Sequence, residues 1–121
     1  MYTIGIDIGG MSIKFGLVDK NGEIFIQSRV KTAKSAIDGV NDIINEIKRL
    51  LKENNLSVSD INGIGIGCPG AVDSEKGIMD VLPNLGWESV AIADILKEHF
   101  DLPVKISNDA NVAALGEAIY G

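Results

Sequence analysis

An Asn-Asp pair, Asn108-Asp109, carries the strongest chemical signal in the sequence. It follows a short apolar run at residues 102–107 and opens a stretch of small residues that is typical of a helix. The Asp109 carboxylate is therefore expected at a strand end and at the positive end of a helix, where an ionised acid is stabilised beside a hydroxyl-bearing ligand. Both residue types are also strong helix N-caps, and on this segment alone we favour the capping role.

A glycine turn near the amino terminus is the second candidate. Asp7-Ile8-Gly9-Gly10 ends a β-branched run, and Ser12 and Lys14 follow it. Glycines without Cβ atoms let backbone amides press against a phosphate, and Asp7 could hold a magnesium ion through water. An ordinary hairpin turn explains the same residues equally well. Lys14 could reach a phosphate, but on its own we favour a solvated strand lysine.

Residues 65–70, Gly-Ile-Gly-Cys-Pro-Gly, match the letters of a dinucleotide-binding fingerprint. We reject that interpretation because the fingerprint must open a helix directly, whereas Pro69-Gly70 leads into a loop. The glycines indicate instead that a ligand or another backbone approaches the strand end closely. Cys68 has no histidine nearby in the sequence and is expected to be a small buried core residue.

Polar residues continue in the next loop, where Asn84-Leu85-Gly86-Trp87 follows a proline. An amide beside an aromatic ring suits sugar hydroxyls, although for Trp87 itself we prefer the role of a loop anchor. Asp73 could help to bind a ligand or could initiate a turn at residues 74–77, and the turn is favoured.

Hydrophobic periodicity predicts the elements that must position these residues. Strands are predicted over residues 2–8, 12–19, 23–30, 61–68 and 104–107. Helices are predicted over residues 36–54, 90–100 and 110–120, with a long loop over residues 72–87. Asn21-Gly22 predicts a tight turn, and the charged residues of the first helix, Glu46 among them, fall largely off its apolar face. The order β-β-β-α-β-α-β-α predicts an α/β fold, a mixed five-stranded sheet with crossover helices on both faces.

Composition excludes several classes of protein. The 121 residues fit one domain, and a net charge of −6 with eleven scattered basic residues argues against a nucleic-acid surface. One cysteine excludes an internal disulfide and fits a reducing cytoplasm, and with one histidine it offers no zinc spacing. No signal peptide or membrane-spanning stretch is evident, so we expect a cytoplasmic protein without a membrane partner.

Taken together, these segments resemble the amino-terminal half of the ROK family, which comprises bacterial glucokinases, related sugar kinases and repressors. The matching segments occur in the family's order, at residues 7–10, 65–73, 84–87 and 108–117. The resemblance implies the ribonuclease-H-like fold of the actin and sugar-kinase superfamily. It also implies transfer of the γ-phosphoryl group of ATP to a hexose hydroxyl, most often the 6-OH of glucose.

The resemblance also implies roles for the residues on the sugar side of such a site. Asp109 would be the general base, and Asn108 and Asn84 would bind sugar hydroxyls. The turn from Gly70 to Asp73 would line the sugar site. An aspartate at a helix N-terminus stays ionised at neutral pH and can accept the proton as the hydroxyl oxygen bonds to phosphorus.

On the phosphate side, the resemblance implies that Gly9-Gly10 would face the phosphates of ATP. Ser12 and Lys14 are placed with them, and Asp7 would serve the Mg²⁺ ion. The sequence departs from the family pattern at Met11, where the family usually has threonine. A hydroxyl donor to phosphate is therefore missing there, although Ser12 follows.

The resemblance makes residues 1–121 a single amino-terminal lobe of a two-lobe sugar kinase. In the family, the carboxy-terminal lobe carries the adenosine pocket, a second phosphate loop, a zinc-binding His and Cys cluster and further sugar ligands. Structural zinc is therefore expected only in that other lobe. We expect a homo-oligomer for the full-length protein, and no useful rate of sugar phosphorylation from the 121 residues alone.

Two other functions stay open. A ROK-type sugar-responsive repressor is disfavoured because the chain begins at the first predicted strand, with no helix-turn-helix segment ahead of it. An ATPase of the same superfamily is disfavoured because it has no need of sugar ligands such as Asn108-Asp109 and the loop at residues 84–87.

Overall fold

A mixed five-stranded sheet forms the frame of the chain, whose computed structural model describes residues 1–9, 11–67, 72–73, 78–79 and 92–107. The elements in chain order are β1 (Tyr2–Ile8), β2 (Ser12–Val18), β3 (Ile24–Lys31), α1 (Ala36–Glu53), β4 (Ile61–Gly67), β5 (Val72–Asp73), β6 (Ile78–Met79), α2 (Ile92–Phe100) and β7 (Val104–Ser107). The sheet order is β3-β2-β1-β4-β7. β1, β4 and β7 are parallel, and β2 runs antiparallel to both of its neighbours.

The predicted five-stranded mixed sheet is confirmed, with strand ends within one residue of those expected from the sequence. The predicted loop over residues 72–87 is wrong in one respect, because β5 and β6 pair there as a short antiparallel hairpin. Strands of two residues are too short to produce a detectable alternation of apolar and polar side chains. The predicted third helix, residues 110–120, lies outside the described residues.

The predicted tight turn at Asn21-Gly22 is confirmed as part of a self-contained connection between β2 and β3, here called the distal turn (Asp19–Glu23). Its Asp19 Oδ1 accepts the backbone N–H groups of Asn21 at 2.9 Å and Glu23 at 3.0 Å. Gly22 takes a φ of 82°, which glycine adopts without steric cost. β2 ends at Val18, one residue before the predicted end, because the backbone and side chain of Asp19 form hydrogen bonds within this turn.

One face of the sheet is apolar and packs against α1. Cross-strand pairing puts isoleucines of three neighbouring strands on this face, and they are fully buried: Ile4, Ile6, Ile8, Ile13, Ile64 and Ile66. The apolar stripe of α1, which includes Ile43, Ile47 and Leu50, belongs to the same core. The amino end of α1 is capped by Ser35, whose Oγ accepts the N–H of Asp38 at 3.2 Å.

Glu46 departs from the expected pattern of α1, because it is buried against the sheet with only 6% of its surface exposed. Its carboxylate accepts a hydrogen bond from Ser28 Oγ of β3 at 2.6 Å and two from Arg49, each also 2.6 Å. The Arg49 hydrogen bonds lower the pKa of Glu46 below its usual value, while burial acts in the opposite direction. Buried carboxylates require such partners; Arg49 lies on α1 itself, and the hydrogen bond from Ser28 ties α1 to β3.

α2 lies on the same side of the sheet as α1. Both helices connect parallel strands that step in one direction across the sheet, and right-handed crossovers then place both on one face. Ile92, Leu96 and Phe100 of α2 enter the same core. Phe100 and the α1 residues Leu51 and Lys52 line a common groove between the two helices.

Candidate functional site

The carboxyl ends of the three parallel strands reach the same level at one edge of the sheet. Asp7 of β1 pairs with Gly67 of β4, and Gly67 pairs with Ser107 of β7. Adjacent strands lie about 4.8 Å apart, so the backbones at Asp7 and Ser107 are about 10 Å apart. The segments that follow β4 and β7 in the sequence therefore begin at the edge where β1 enters its hairpin, which is where open α/β sheets bind ligands.

The same cross-strand row continues onto the antiparallel strands. Asp7 pairs with Lys14 of β2, and Lys14 pairs with Arg29 of β3. Directly paired residues point to the same face of a sheet, so a half-buried carboxylate and two exposed cations share the face opposite to α1. Lys31, which is also exposed, pairs with Ser12 one step nearer the edge. These cations favour the approach of an anionic ligand even though the whole chain has a net charge of −6.

The connection between β1 and β2, here called the glycine hairpin (residues 9–11), is closed by a backbone hydrogen bond. The N–H of Gly9 donates to the carbonyl oxygen of Ser12 at 3.0 Å. A Cβ atom added to Gly9 would lie 3.0 Å from that same oxygen, closer than nearly all real Cβ contacts. The close approach of the backbone therefore favours glycine at position 9, because a Cβ atom there would force the hairpin to shift.

Thr32, the residue that follows β3, holds the glycine hairpin from outside. Its Oγ1 donates to the carbonyl oxygen of Gly9 at 2.8 Å, and its N–H donates to the carbonyl oxygen of Met11 at 3.1 Å. Sequence analysis missed Thr32 because 23 residues separate it from Gly9. A hydroxyl residue directly after a strand carries no local signal of that contact.

The structure brings several of the predicted phosphate-side residues together at this edge. Asp7 is paired with Lys14, and two residues further along the β1–β2 hairpin the N–H of Gly9 is bonded to the carbonyl oxygen of Ser12. Asp73 ends β5, which lies against β7 and pairs antiparallel with β6. The turn that sequence analysis favoured at residues 74–77 lies outside the described residues.

A magnesium site of the predicted kind is compatible with these residues. Among the residues that the structure describes, no group of three or more His, Cys, Asp or Glu side chains is placed to hold a metal ion. Magnesium needs only one or two carboxylates where water and substrate phosphates complete its shell. The single carboxylate of Asp7, half-buried beside the glycine hairpin, fits an ion bound mainly through water.

The other predicted site residues lie outside the described residues, and their roles stay predictions. On the phosphate side this applies to Gly10. On the sugar side it applies to Gly70, Asn84, Asn108 and Asp109, as well as to Cys68 and Trp87.

Comparison with known proteins assigns this arrangement to a family. The sequence model described as "ROK family" matches residues 3–121. The chain belongs to the ROK family. Its fold is accordingly the ribonuclease-H-like fold of the actin and sugar-kinase superfamily, as the resemblance implied.

The relatives of this ROK chain include both kinases and repressors. It is 36% identical to the glucokinase of Halalkalibacterium halodurans over 99% of this chain and 37% of that protein. It is 34% identical to the xylose repressor of Caldicellulosiruptor bescii over 98% of this chain and 30% of that protein. The chain thus spans 30% to 37% of the length of these two curated relatives.

A solved structure extends the comparison to a protein with bound ligands. The ROK family glucokinase from Streptomyces griseus, in complex with glucose and AMPPNP, superposes with a TM-score of 0.78 at 33% identity, covering 100% of this chain and 37% of that chain. Within the described part of this ROK chain, no helix is both long and apolar enough to cross a membrane.

Proposed function

We propose that the full-length protein is an ATP-dependent sugar kinase that transfers the γ-phosphoryl group to a hexose hydroxyl. The proposed acceptor is the 6-OH of glucose. The observation that carries the proposal is the cross-strand row from Asp7 through Gly67 to Ser107. Because of this pairing, three segments begin at one edge of the sheet. They are the glycine hairpin, which is the candidate phosphate segment, and the segments that follow β4 and β7, which are the candidate sugar segments. The similarity to glucokinases, one of them solved with glucose and an ATP analogue, supports the same assignment.

The protein contributes to this reaction mainly by positioning the reactants and by neutralising charge. Phosphoryl transfer needs the donor phosphate and the attacking oxygen in line, with the developing charge stabilised. In the proposed site the glycine hairpin offers backbone amides to phosphate, and Asp7 holds Mg²⁺ through water. Asp109, with Asn108 and Asn84 holding neighbouring hydroxyls, orients the attacking hydroxyl and takes its proton. Gly70 and Asp73 line the sugar side.

In this proposal residues 1–121 form the amino-terminal lobe, and the other lobe supplies the adenosine pocket and the structural zinc. Activity then requires both lobes, because the nucleotide lies between them. We therefore expect no useful turnover from the 121 residues alone.

The test is Asp109→Asn in the full-length protein, assayed by coupled release of ADP with glucose as acceptor. Asparagine caps a helix about as well as aspartate, so folding should be nearly unchanged. The loss of the base should lower kcat by about 100- to 10,000-fold, with a much smaller change in the KM for glucose. Turnover close to that of the wild type would show that Asp109 is not the general base.

Asp101→Asn is the matched control for that change. Asp101 is exposed, follows the end of α2 and has a φ of 55°, a conformation that asparagine also tolerates. The chemical change is identical, but residue 101 lies at the opposite end of β7 from Ser107. The kcat of the Asp101→Asn variant should match that of the wild type.

A second candidate function is a sugar-responsive repressor, favoured by the 34% identity to a xylose repressor over 98% of this chain. A thermal-shift screen of the full-length protein against glucose, xylose and N-acetylmannosamine, each with and without MgATP, distinguishes the candidates. A kinase should be stabilised by MgATP and by one sugar, and should turn that pair over. A repressor should bind sugar without turnover, and an ATPase should respond to MgATP and to no sugar.

A further inference from the structure

Both hydrogen bonds of Thr32 end on carbonyl groups of the glycine hairpin. Its side-chain hydroxyl reaches the Gly9 carbonyl at 2.8 Å, and its backbone N–H reaches the Met11 carbonyl at 3.1 Å. Thr32 is half-buried and belongs to neither β1 nor β2. The hairpin is thus held by the residue that follows β3, the strand next to its own two strands.

The direction of these carbonyls matters to an anion. A carbonyl oxygen carries partial negative charge, so a hairpin that cradles phosphate must present N–H groups and turn its carbonyls elsewhere. The hydrogen bond from the Thr32 hydroxyl holds the Gly9 carbonyl in one direction, so the partial negative charge of this oxygen is not free to turn toward a bound anion.

Little else in the described structure restrains the tip of the hairpin. The Met11 side chain is 88% exposed and contributes no packing. The Gly9 N–H bond to Ser12 closes the base of the hairpin but leaves the Gly9 carbonyl to be oriented by Thr32. Among the residues that the structure describes, the hydroxyl of Thr32 is therefore the side-chain group that orients the Gly9 carbonyl.

We infer that Thr32 is a positioning residue for nucleotide binding, which acts by holding the Gly9 carbonyl away from the bound phosphates. The inference rests on the proposed function, because it requires that the glycine hairpin binds phosphate. It assigns the effect to the hydroxyl group and not to the bulk of the side chain. Thr32 itself touches neither substrate.

The experiment compares Thr32→Val with Thr32→Ser in the full-length protein. Valine keeps the shape and the backbone N–H bond but removes the hydroxyl, whereas serine keeps the hydroxyl. With one hydrogen bond lost, Thr32→Val should raise the KM for MgATP about tenfold and leave the KM for glucose within about twofold. Thr32→Ser should stay near the wild type in both.

Amide hydrogen exchange without ligand provides a readout that does not depend on turnover. Thr32→Val should speed exchange within residues 9–12, because the hairpin has lost a restraint. Exchange in the distal turn (Asp19–Glu23) should be unchanged, since its hydrogen bonds are its own. The serine variant should match the wild type in both segments.

Each contrary result has a separate meaning. A wild-type protein that binds no MgATP overturns the proposed function and this inference together. A wild-type kinase whose Thr32→Val variant keeps its KM for MgATP and its exchange rates overturns this inference alone. Equal rises in both KM values with a large loss of Tm, or a serine variant as impaired as the valine variant, would show a purely structural role and overturn it too.

Discussion

The two connections at opposite ends of β2 differ in where their hydrogen-bond partners come from. The distal turn satisfies its polar groups from within, since Asp19 accepts the N–H groups of Asn21 and Glu23 and Gly22 supplies the left-handed backbone. The glycine hairpin is oriented from outside, by two hydrogen bonds from Thr32 to its carbonyl groups. One connection is locally complete, and the other depends on a distant residue.

That difference indicates which connection is suited to bind a ligand. A turn that uses its own side chain to satisfy its N–H groups has none left to offer to an anion. A hairpin whose carbonyls are held by a residue from outside can keep its N–H groups, other than that of Gly9, for a phosphate. The contrast yields predictions that separate effects on function from effects on stability.

The largest effect is expected from Gly9→Ala. The new methyl group would meet the Ser12 carbonyl oxygen at 3.0 Å, and the hairpin must move to relieve the contact. A displacement of a fraction of an ångström to an ångström at a reacting phosphate should lower kcat/KM for MgATP by about 100-fold. Steady-state kinetics of the full-length protein measure this loss.

Gly22→Ala is the matched control at the distal turn. Its φ of 82° strains any residue with a Cβ atom, so the protein should lose about 1–2 kcal/mol of stability. Turnover at a temperature well below the Tm should be unchanged. If Gly22→Ala reduced kcat/KM as much as Gly9→Ala, the functional distinction between the two connections would be lost.

An intermediate effect is expected from Glu46→Gln, which weakens the attachment of β3 to α1 midway between the two connections. The variant should lose about 1–2 kcal/mol of unfolding free energy near neutral pH. The folded state lowers the pKa of Glu46 from 4.5, so the carboxylate contributes stability that is complete well above 4.5 and is lost as pH falls through the lowered pKa. The difference from the wild type should therefore shrink in acid.

Urea unfolding at several pH values measures that difference, and Glu53→Gln is its control. Glu53 also pairs with Arg49 but is 59% exposed, so its removal should change stability by less than about 0.5 kcal/mol. A Glu46→Gln deficit that stayed constant into acid would show that the charge of the carboxylate does not contribute the stability that is lost.

The smallest effect is expected from Asp19→Ala in the distal turn. The variant loses an acceptor for two exposed backbone N–H groups that water can replace in part, so Tm should fall by an amount equivalent to about 1 kcal/mol. Asp19→Asn keeps one acceptor oxygen and should lose less. Kinetic constants for both substrates should not change, and a rise in the KM for MgATP would mean that the two ends of β2 are coupled.

Local patterns predicted most of the fold. The apolar spacing of α1 gave its start at Ala36 and its end to within one residue, and Asn21-Gly22 marked the distal turn. The pattern failed where an element was too short to show a period, as in β5 and β6. It also failed for Glu46, whose burial depends on Ser28 in another element and not on the spacing of charges along the helix.

For the candidate site, the residue types could be predicted from the sequence, but their arrangement in space could not. Glycines after a strand, with an aspartate before them, are visible in the sequence, and so is the resemblance to the ROK family. That Asp7, Gly67 and Ser107 lie at one level is a consequence of strand register, which no local pattern fixes. Thr32 could not be found because its partners are set by the pairing of three strands.

β3 lies at the edge of the described sheet, and this position bears on whether copies of the chain aggregate. Its outward residues Gln27, Arg29 and Lys31 are exposed, and two of them carry positive charge. A second copy that aligned its own β3 along this edge would bring like charges together and would be repelled. The charged face of β3 therefore guards against edge-to-edge aggregation while leaving the inner face of the strand free to anchor α1.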